Sequence, residues 1–147
     1  MHEKLNIRPA VISDMENVFH LSNDDLVRKN SINKEKIKWE NHIQWFQNRI
    51  QNTKYPFYVV ETDKGDFVGQ IRFDNQDSDI VASVSISPEF RGFGLGAEII
   101  KMALQKSKFD RVVAYIYQDN IGSIKSFEKA GFKKSDLLKF IYDEQSN

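Results

Sequence analysis

Three glycines at alternate positions, Gly92, Gly94 and Gly96, follow an arginine, Arg91. Glycine admits φ > 0 and lets the backbone approach a ligand closely. Downstream, Ile99, Ile100, Ala103 and Leu104 recur on one helical stripe, so the glycines open onto a helix N-terminus. Unpaired N–H groups and the helix dipole attract anions there, and Arg91 adds a permanent positive charge. The stretch Arg91, Gly92, Phe93, Gly94, Leu95, Gly96 therefore has the chemistry to hold a phosphate or pyrophosphate, largely through backbone amides.

Three phosphate patterns compete for these residues. G-x-x-x-x-G-K-[ST] fails, because no Lys-Ser/Thr pair follows a glycine here. G-x-G-x-x-G/A can be laid on Gly92, Gly94 and Ala97, but it expects glycines directly after a first strand. Here the loop lies past mid-chain, and Ser87 to Arg91 intervene. The third pattern, R-x-x-G-x-G, is met by Arg91, Gly94 and Gly96. A ligand-free turn would not need strand, proline, arginine, spaced glycines and amphipathic helix together.

The elements that position the loop follow from periodicity. Ile80–Ile86 alternates apolar and small polar residues and reads as a strand, ended at Ser87-Pro88. Upstream, Lys4–Arg8 is a short strand, and Ser13 and Glu16 form an S-x-x-E capping box for a first helix. The polar stretch 22–31 reads as irregular. A second helix starts near Ile37 or Lys38 and carries Trp39, His42, Ile43, Trp45, Phe46 and Ile50. Phe57–Glu61, Phe67–Phe73 and Ile80–Ile86, joined by turns at 62–66 and 74–79, form an antiparallel meander. Arg111–Tyr117 is a further strand. Asn120 caps a last helix striped by Ile121, Ile124, Phe127 and Ala130, with Gly131 beyond its end. Leu137–Tyr142 closes the sheet, and Asp143–Asn147 is a polar, frayed tail. The order β-α-α-β-β-β-α-β-α-β(-β) specifies an α+β protein: a mixed, mostly antiparallel sheet of six to seven strands with helices on both faces.

The 147 residues suit one domain, 1–147, with a real core. Lys+Arg and Asp+Glu both number 21, which argues against a general nucleic-acid binder. The absence of cysteine removes disulfides, thiolate metal sites and a thiol nucleophile. The opening MHEKLNIRPA has no apolar h-region, and no run approaches a membrane span, so a cytoplasmic protein is expected.

The motif V-S-I-S-P-E-F-R-G-F-G-L-G and the element order resemble the GNAT N-acetyltransferase superfamily over almost the whole chain. The resemblance implies acetyl-CoA as co-substrate and no metal. Its pantetheine arm would pair with the backbone of Val84, Ser85, Ile86 and Ser87, and its pyrophosphate would lie on Arg91–Gly96. A second motif, N-I-G-S-I-K-S-F-E-K-A-G-F, is similar to the family's N-x-x-[SA]-x-x-x-[YF]-E-K-x-G-F segment. It places Asn120, Ser123 and Phe127 by the arm, near its acetyl end. Many relatives carry Tyr where Phe127 stands, and Phe127 has no proton for a departing thiolate. Catalytic roles fall on His42 and Asn120, with Asp24, Asp74 and Glu61 as further candidates for the base. Backbone N–H groups around Ile86 and Ser87 would meet the oxyanion.

A narrower resemblance, in L-S-N-D-D-L-V-R-K-N-S and I-K-W-E-N-H-I-Q-W-F, is to the enzymes that N-acetylate a UDP-linked 4-amino-4,6-dideoxy sugar in pseudaminic acid synthesis. It implies a nucleotide-linked amino sugar as acceptor, bound by Asn23, Asp24, Arg28, Trp39, His42 and Trp45. The ribosomal-protein N-terminal acetyltransferases share part of the same rhythm. Acetylation of protein N-termini or small amines, and a non-catalytic acyl-CoA-binding module, stay open beside it. The protein would be a monomer or homodimer, with neither nucleic acid nor membrane as partner.

Overall fold

The computed structural model describes residues 4–144. The elements run β1 (Leu5–Pro9), a 3-10 turn at Ile12–Asp14, α1 (Met15–Ser22), α2 (Asp25–Lys29) and α3 (Trp39–Gln51). The meander β2 (Phe57–Thr62), β3 (Phe67–Gln76) and β4 (Asp79–Ile86) follows. A 3-10 turn at Pro88–Phe90 leads to α4 (Leu95–Ser107), β5 (Arg111–Tyr115), α5 (Ile121–Lys129), β6 (Lys133–Lys134) and β7 (Lys139–Asp143). The strands form one seven-stranded sheet in the order β1-β2-β3-β4-β5-β7-β6. Every neighbouring pair is antiparallel except β4–β5. This is the expected α+β architecture, at the upper strand count.

Helices cover both faces, which is why FYVV in β2 is apolar throughout rather than alternating. Tyr58 and Val60 join the core under α4 and α5, with Ile71, Phe73, Ile99, Ile100, Ala103 and Phe127. Phe57 and Val59 face the other way, onto Val18 of α1 and Phe46 of α3.

Local chemistry departs from the sequence reading at several points. The Ser13–Glu16 capping box does not form: α1 begins at Met15 without a side-chain cap. Asp14 instead accepts from Val11 N–H at 2.8 Å and from both Nη atoms of Arg8, each at 2.8 Å. The stretch 22–31 is not irregular, because Asp24 caps a short helix, α2. The turn expected over 74–79 narrows to Asp77 and Ser78, with Gln76 paired to Asp79. β5 ends at Tyr115, two residues early, and Asp143 belongs to β7 rather than to a tail. The expected frayed end at 145–147 lies outside the described residues.

Arg8 also donates from Nε to Glu61 at 2.9 Å, tying β1, β2 and the turn before α1. Burial alone would raise the Asp14 carboxyl, but the hydrogen bonds from Arg8 and from Val11 N–H outweigh it and hold the group below its ordinary 3.8. A carboxyl held low in the folded state contributes stability above its unfolded value, and loses it as pH falls through the folded value. The stability gap between wild type and Asp14→Asn is therefore expected to be full at neutral pH. It should shrink on acidification below about pH 4. Urea titrations across that range check this; a gap that did not change with pH would assign the loss to packing.

Candidate active site

β4 and β5 run parallel but share a single paired position, Val81 with Val113. Past that point the two strands diverge. Ser87 N–H donates to Val68 C=O at 2.8 Å. An antiparallel ladder alternates, so this bond turns the backbone groups of Ser85 and Ser83 toward β3. Those of Val84 and Ile86 turn away from β3, into the gap. The gap edge thus offers Val84 N–H and C=O and Ile86 N–H, while Ile86 C=O accepts from Arg91 Nε at 2.9 Å. This corrects the oxyanion assignment: Ser87 N–H is spent on β3, and Ile86 N–H is the donor that faces the gap. Gly69 allows the close β3–β4 contact here, since a Cβ on it would lie 2.3 Å from the Ser85 carbonyl oxygen.

The glycine loop stands at the end of this gap. Gly92 and Gly94 have φ of 86° and 75°. Gly94 is the residue before α4, and no side chain caps that helix. Its first-turn N–H groups therefore stay open to an anion, and a Cβ on Gly92 or Gly94 would meet nothing within 4 Å. The loop fits a pyrophosphate on these grounds. Gly96 serves differently. It lies inside the helix, and a Cβ there would come within 2.5 Å of Ser126 Oγ, so it is the contact point of α4 on α5.

The other side of the site is the sheet face toward α1 and α3. The register places Arg72 and Ser83 in line with Phe57, and Gln70 and Ser85 in line with Val59. Tyr115 extends the same face from Val113. Gln70 is 3% exposed, and its Oε1 has no hydrogen-bond partner among the described residues. Above this face passes the segment from Asn23 to Lys38. Lys34 Nζ stands 4.7 Å over the Tyr117 ring, just past β5. Arg28 feels the charge of Arg72 on β3, which, after burial, lowers its pKa.

The segment is bound largely to itself, and this corrects two acceptor assignments. Arg28 donates to the carbonyls of Ser22, Asn33 and Glu35 and to Ser31 Oγ, so its fork is a clamp for its own loop. Asn23 grips both the N–H and the C=O of Ile37. Trp39 and Trp45 are 40% and 36% exposed, and the Arg72 guanidinium sits 5.1 Å over the Trp45 ring. These two rings are available to a ligand.

His42 is 2% exposed, and its Nε2 lies 2.8 Å from Met15 C=O, amid Phe19, Trp39, Trp45 and Phe46. Burial pushes its pKa below the ordinary 6.5. It is a packing residue between α1 and α3, which corrects its assignment as base. The carboxylate candidates are all engaged by guanidinium groups. Asp74 lies between Arg49 and Arg72, Glu61 on Arg8, and Asp24 on Arg91. Asn120 caps α5, accepting from Ser123 N–H at 3.4 Å. Phe127 is 2% exposed and packs edge-on against Phe132 at 4.9 Å, a core ring rather than a cofactor contact. The signal that sequence reasoning missed was charge pairing: Arg8, Arg49 and Arg91 each meet a carboxylate from a distant stretch.

Among the described residues, no group of His, Asp and Glu is arranged to hold a metal ion, and no helix is long and apolar enough to cross a membrane.

Residues 4–133 match the acetyltransferase (GNAT) domain family. The chain is 28% identical over 138 residues to the uncharacterized protein MJ1062 of Methanocaldococcus jannaschii, covering 90% of this chain and 28% of that protein. It is 25% identical over 146 residues to the SPbeta prophage-derived uncharacterized N-acetyltransferase YokL of Bacillus subtilis, covering 95% of this chain and 81% of that one. The crystal structure of spermidine N-acetyltransferase from Vibrio cholerae, in complex with CoA and spermine, superposes with a TM-score of 0.84 at 14% identity, covering 96% of each chain. That likeness concerns the fold. With a diverging β4–β5 pair, an uncapped glycine-led helix and a family match that spans most of its length, the chain belongs to the GNAT acetyltransferases and is an N-acetyltransferase drawing on acetyl-CoA.

Proposed function

We propose that the acceptor is an amine carried on an anionic small molecule, with a nucleotide-linked amino sugar as the best fit. The observation that carries this is the charge of the segment over the acceptor face. Residues 23–38 hold Arg28, Lys29, Lys34, Lys36 and Lys38 against Asp24, Asp25 and Glu35, five positive charges to three negative. The chain as a whole is neutral, so this is a local concentration of positive charge. Such a rim attracts phosphate groups and repels polycations. The exposed rings of Trp39 and Trp45 supply flat faces for a sugar or base, and Arg72 stands beside one of them.

In this reading the pyrophosphate of acetyl-CoA lies on Arg91–Gly96 and its arm runs along Val84–Ser87. The acceptor nitrogen enters from the Ser83–Ser85 face as a neutral amine. It forms the C–N bond as the C–S bond breaks, and the thiolate leaves without an acid from Phe127. Ile86 N–H meets the developing oxyanion. No candidate side chain in the site is a free base, so the amine's proton passes to water.

Turnover of acetyl-CoA with a UDP-linked 4-amino-4,6-dideoxy sugar, with spermine and with a peptide bearing a free N-terminus tests the proposal. The sugar is expected to win in kcat/KM by about 100-fold or more, the scale of two or three charged contacts. Its KM should rise with ionic strength, as for any anion steered by a basic rim. Preference for spermine or peptide, or a KM that falls with salt, would overturn the assignment.

A further inference from the structure

The segment that covers the acceptor face and the loop suited to pyrophosphate are joined by one ion pair. Arg91 Nη2 donates to Asp24 Oδ2 at 2.7 Å, across 67 positions of sequence. The same oxygen accepts the N–H groups of Leu26 and Val27, at 3.1 and 3.3 Å. The same arginine, through Nε, holds the Ile86 carbonyl at the gap edge. One guanidinium, on the residue that opens the glycine loop, therefore joins the strand end to the cap of α2.

The rest of the segment is anchored inward. Arg28, Asn23 and Lys36 bind carbonyls and hydroxyls within 22–37, and α2 buries none of its residues. The Asp24–Arg91 pair and the Lys34–Tyr117 contact tie it to the sheet side of the molecule. The pair is also partly shielded, with side-chain exposures of 29% and 19%. Burial alone would raise the Asp24 carboxyl; the hydrogen bonds from Arg91 and Val27 N–H outweigh it and keep the group charged.

We infer that Asp24 is a positioning residue: it holds Arg91 beside the glycine loop and thereby couples acetyl-CoA binding to the order of the acceptor-covering segment. This rests on the reading that Arg91–Gly96 takes the pyrophosphate. Arginine has five N–H donors, and the structure uses one at Nε and one at Nη2. The remaining edge can meet a phosphate oxygen while Asp24 keeps the group oriented. The pyrophosphate, by fixing Arg91, in turn fixes Asp24 and the start of α2. Coupling of this kind is reciprocal, so acceptor bound under the segment must tighten acetyl-CoA by the same factor.

Asp24→Asn separates the pair from the cap, because asparagine caps a helix as well as aspartate does. Calorimetry is expected to show acetyl-CoA bound about tenfold more weakly. Hydrogen exchange should show that acetyl-CoA slows amides of 24–37 in the wild type and leaves them unchanged in the variant. If Asp24→Asn fails to fold, Asp24→Ser, another capping residue without charge, serves instead. Affinity within twofold of wild type would overturn the inference, and so would undiminished protection of 24–37 in the variant. Gly94→Val measured in parallel keeps the two readings apart. If that variant binds acetyl-CoA normally, the loop reading falls and takes the coupling with it. If it loses binding while Asp24→Asn does not, only the coupling falls.

Discussion

Gly94→Val is expected to weaken acetyl-CoA binding by about 100-fold, or ~2.7 kcal/mol. Gly94 sits at φ 75° immediately before α4, a conformation that a β-branched residue adopts only with strain. The strained loop can relax only by rotating the peptide planes that aim the first-turn N–H groups at the ligand. A side chain would also occupy the space where the backbone meets phosphate oxygens. Gly94→Asn divides these two causes. Asparagine tolerates the left-handed region, and a Cβ at this position meets no protein atom within 4 Å. That variant should keep its melting temperature and still lose affinity. Calorimetry with acetyl-CoA gives both answers. Wild-type affinity in the valine variant would remove the glycine loop from the binding site.

Arg49→Ala is expected to cost about 2–3 kcal/mol of folding stability, the scale of losing charged hydrogen bonds to a buried carbonyl, while Asp74, a third exposed, keeps Arg72. Arg49 is 8% exposed near the end of α3. Its Nε donates to Asp74 Oδ1 at 2.8 Å, and Nη2 donates to Phe73 C=O at 2.6 Å and to Pro56 C=O at 3.4 Å. The guanidinium also lies 5.6 Å from the centre of the Phe57 ring. One side chain thus ties α3, the turn before β2 and the middle of β3. For a chain of this size the loss corresponds to a fall in Tm of roughly 5–10 °C. Arg49→Lys restores charge but not the fork, and should recover less than half of it. Thermal and urea unfolding measure both variants. A loss below about 1 kcal/mol would mean that water replaces the arginine at little cost, and that the network is a surface feature.

The corrections share one physical origin. Helix and strand periodicities are local, so the meander, the glycine-led helix and the final capped helix were legible in consecutive residues. So was the chemistry of the loop, because Gly92, Gly94 and the helix they open are neighbours in sequence. Asp24 reads as one of a run of turn formers; in the fold it caps α2 through Leu26 and Val27 N–H, and only the tertiary structure brings Arg91 to the same oxygen. His42 reads as a candidate base on an aromatic helix, beside the commoner reading of a packing residue. Only the packing of α3 on α1, with Met15 C=O at 2.8 Å, makes it filler.

Sequence alone determined the order of the strands and longer helices, the sheet class, the glycine-led start of α4 and the absence of a thiol nucleophile. Each depends on residue type and short-range spacing. Tertiary structure decided which groups remain available to a substrate. Arg8, Arg28, Arg49, Arg72 and Arg91 are interchangeable as positive charges along the chain. In the fold, Arg28 is spent on its own loop, and the other four are matched to Glu61 and Asp14, Asp74, Asp74 again, and Asp24. Ser87 N–H and Ile86 N–H are likewise equivalent in sequence. The β3 register consumes the first and turns the second into the gap. A charge or an N–H group serves a substrate only with the donors that the folded chain leaves unclaimed, and those claims reach from two residues away, Asp74 on Arg72, to 67, Asp24 on Arg91.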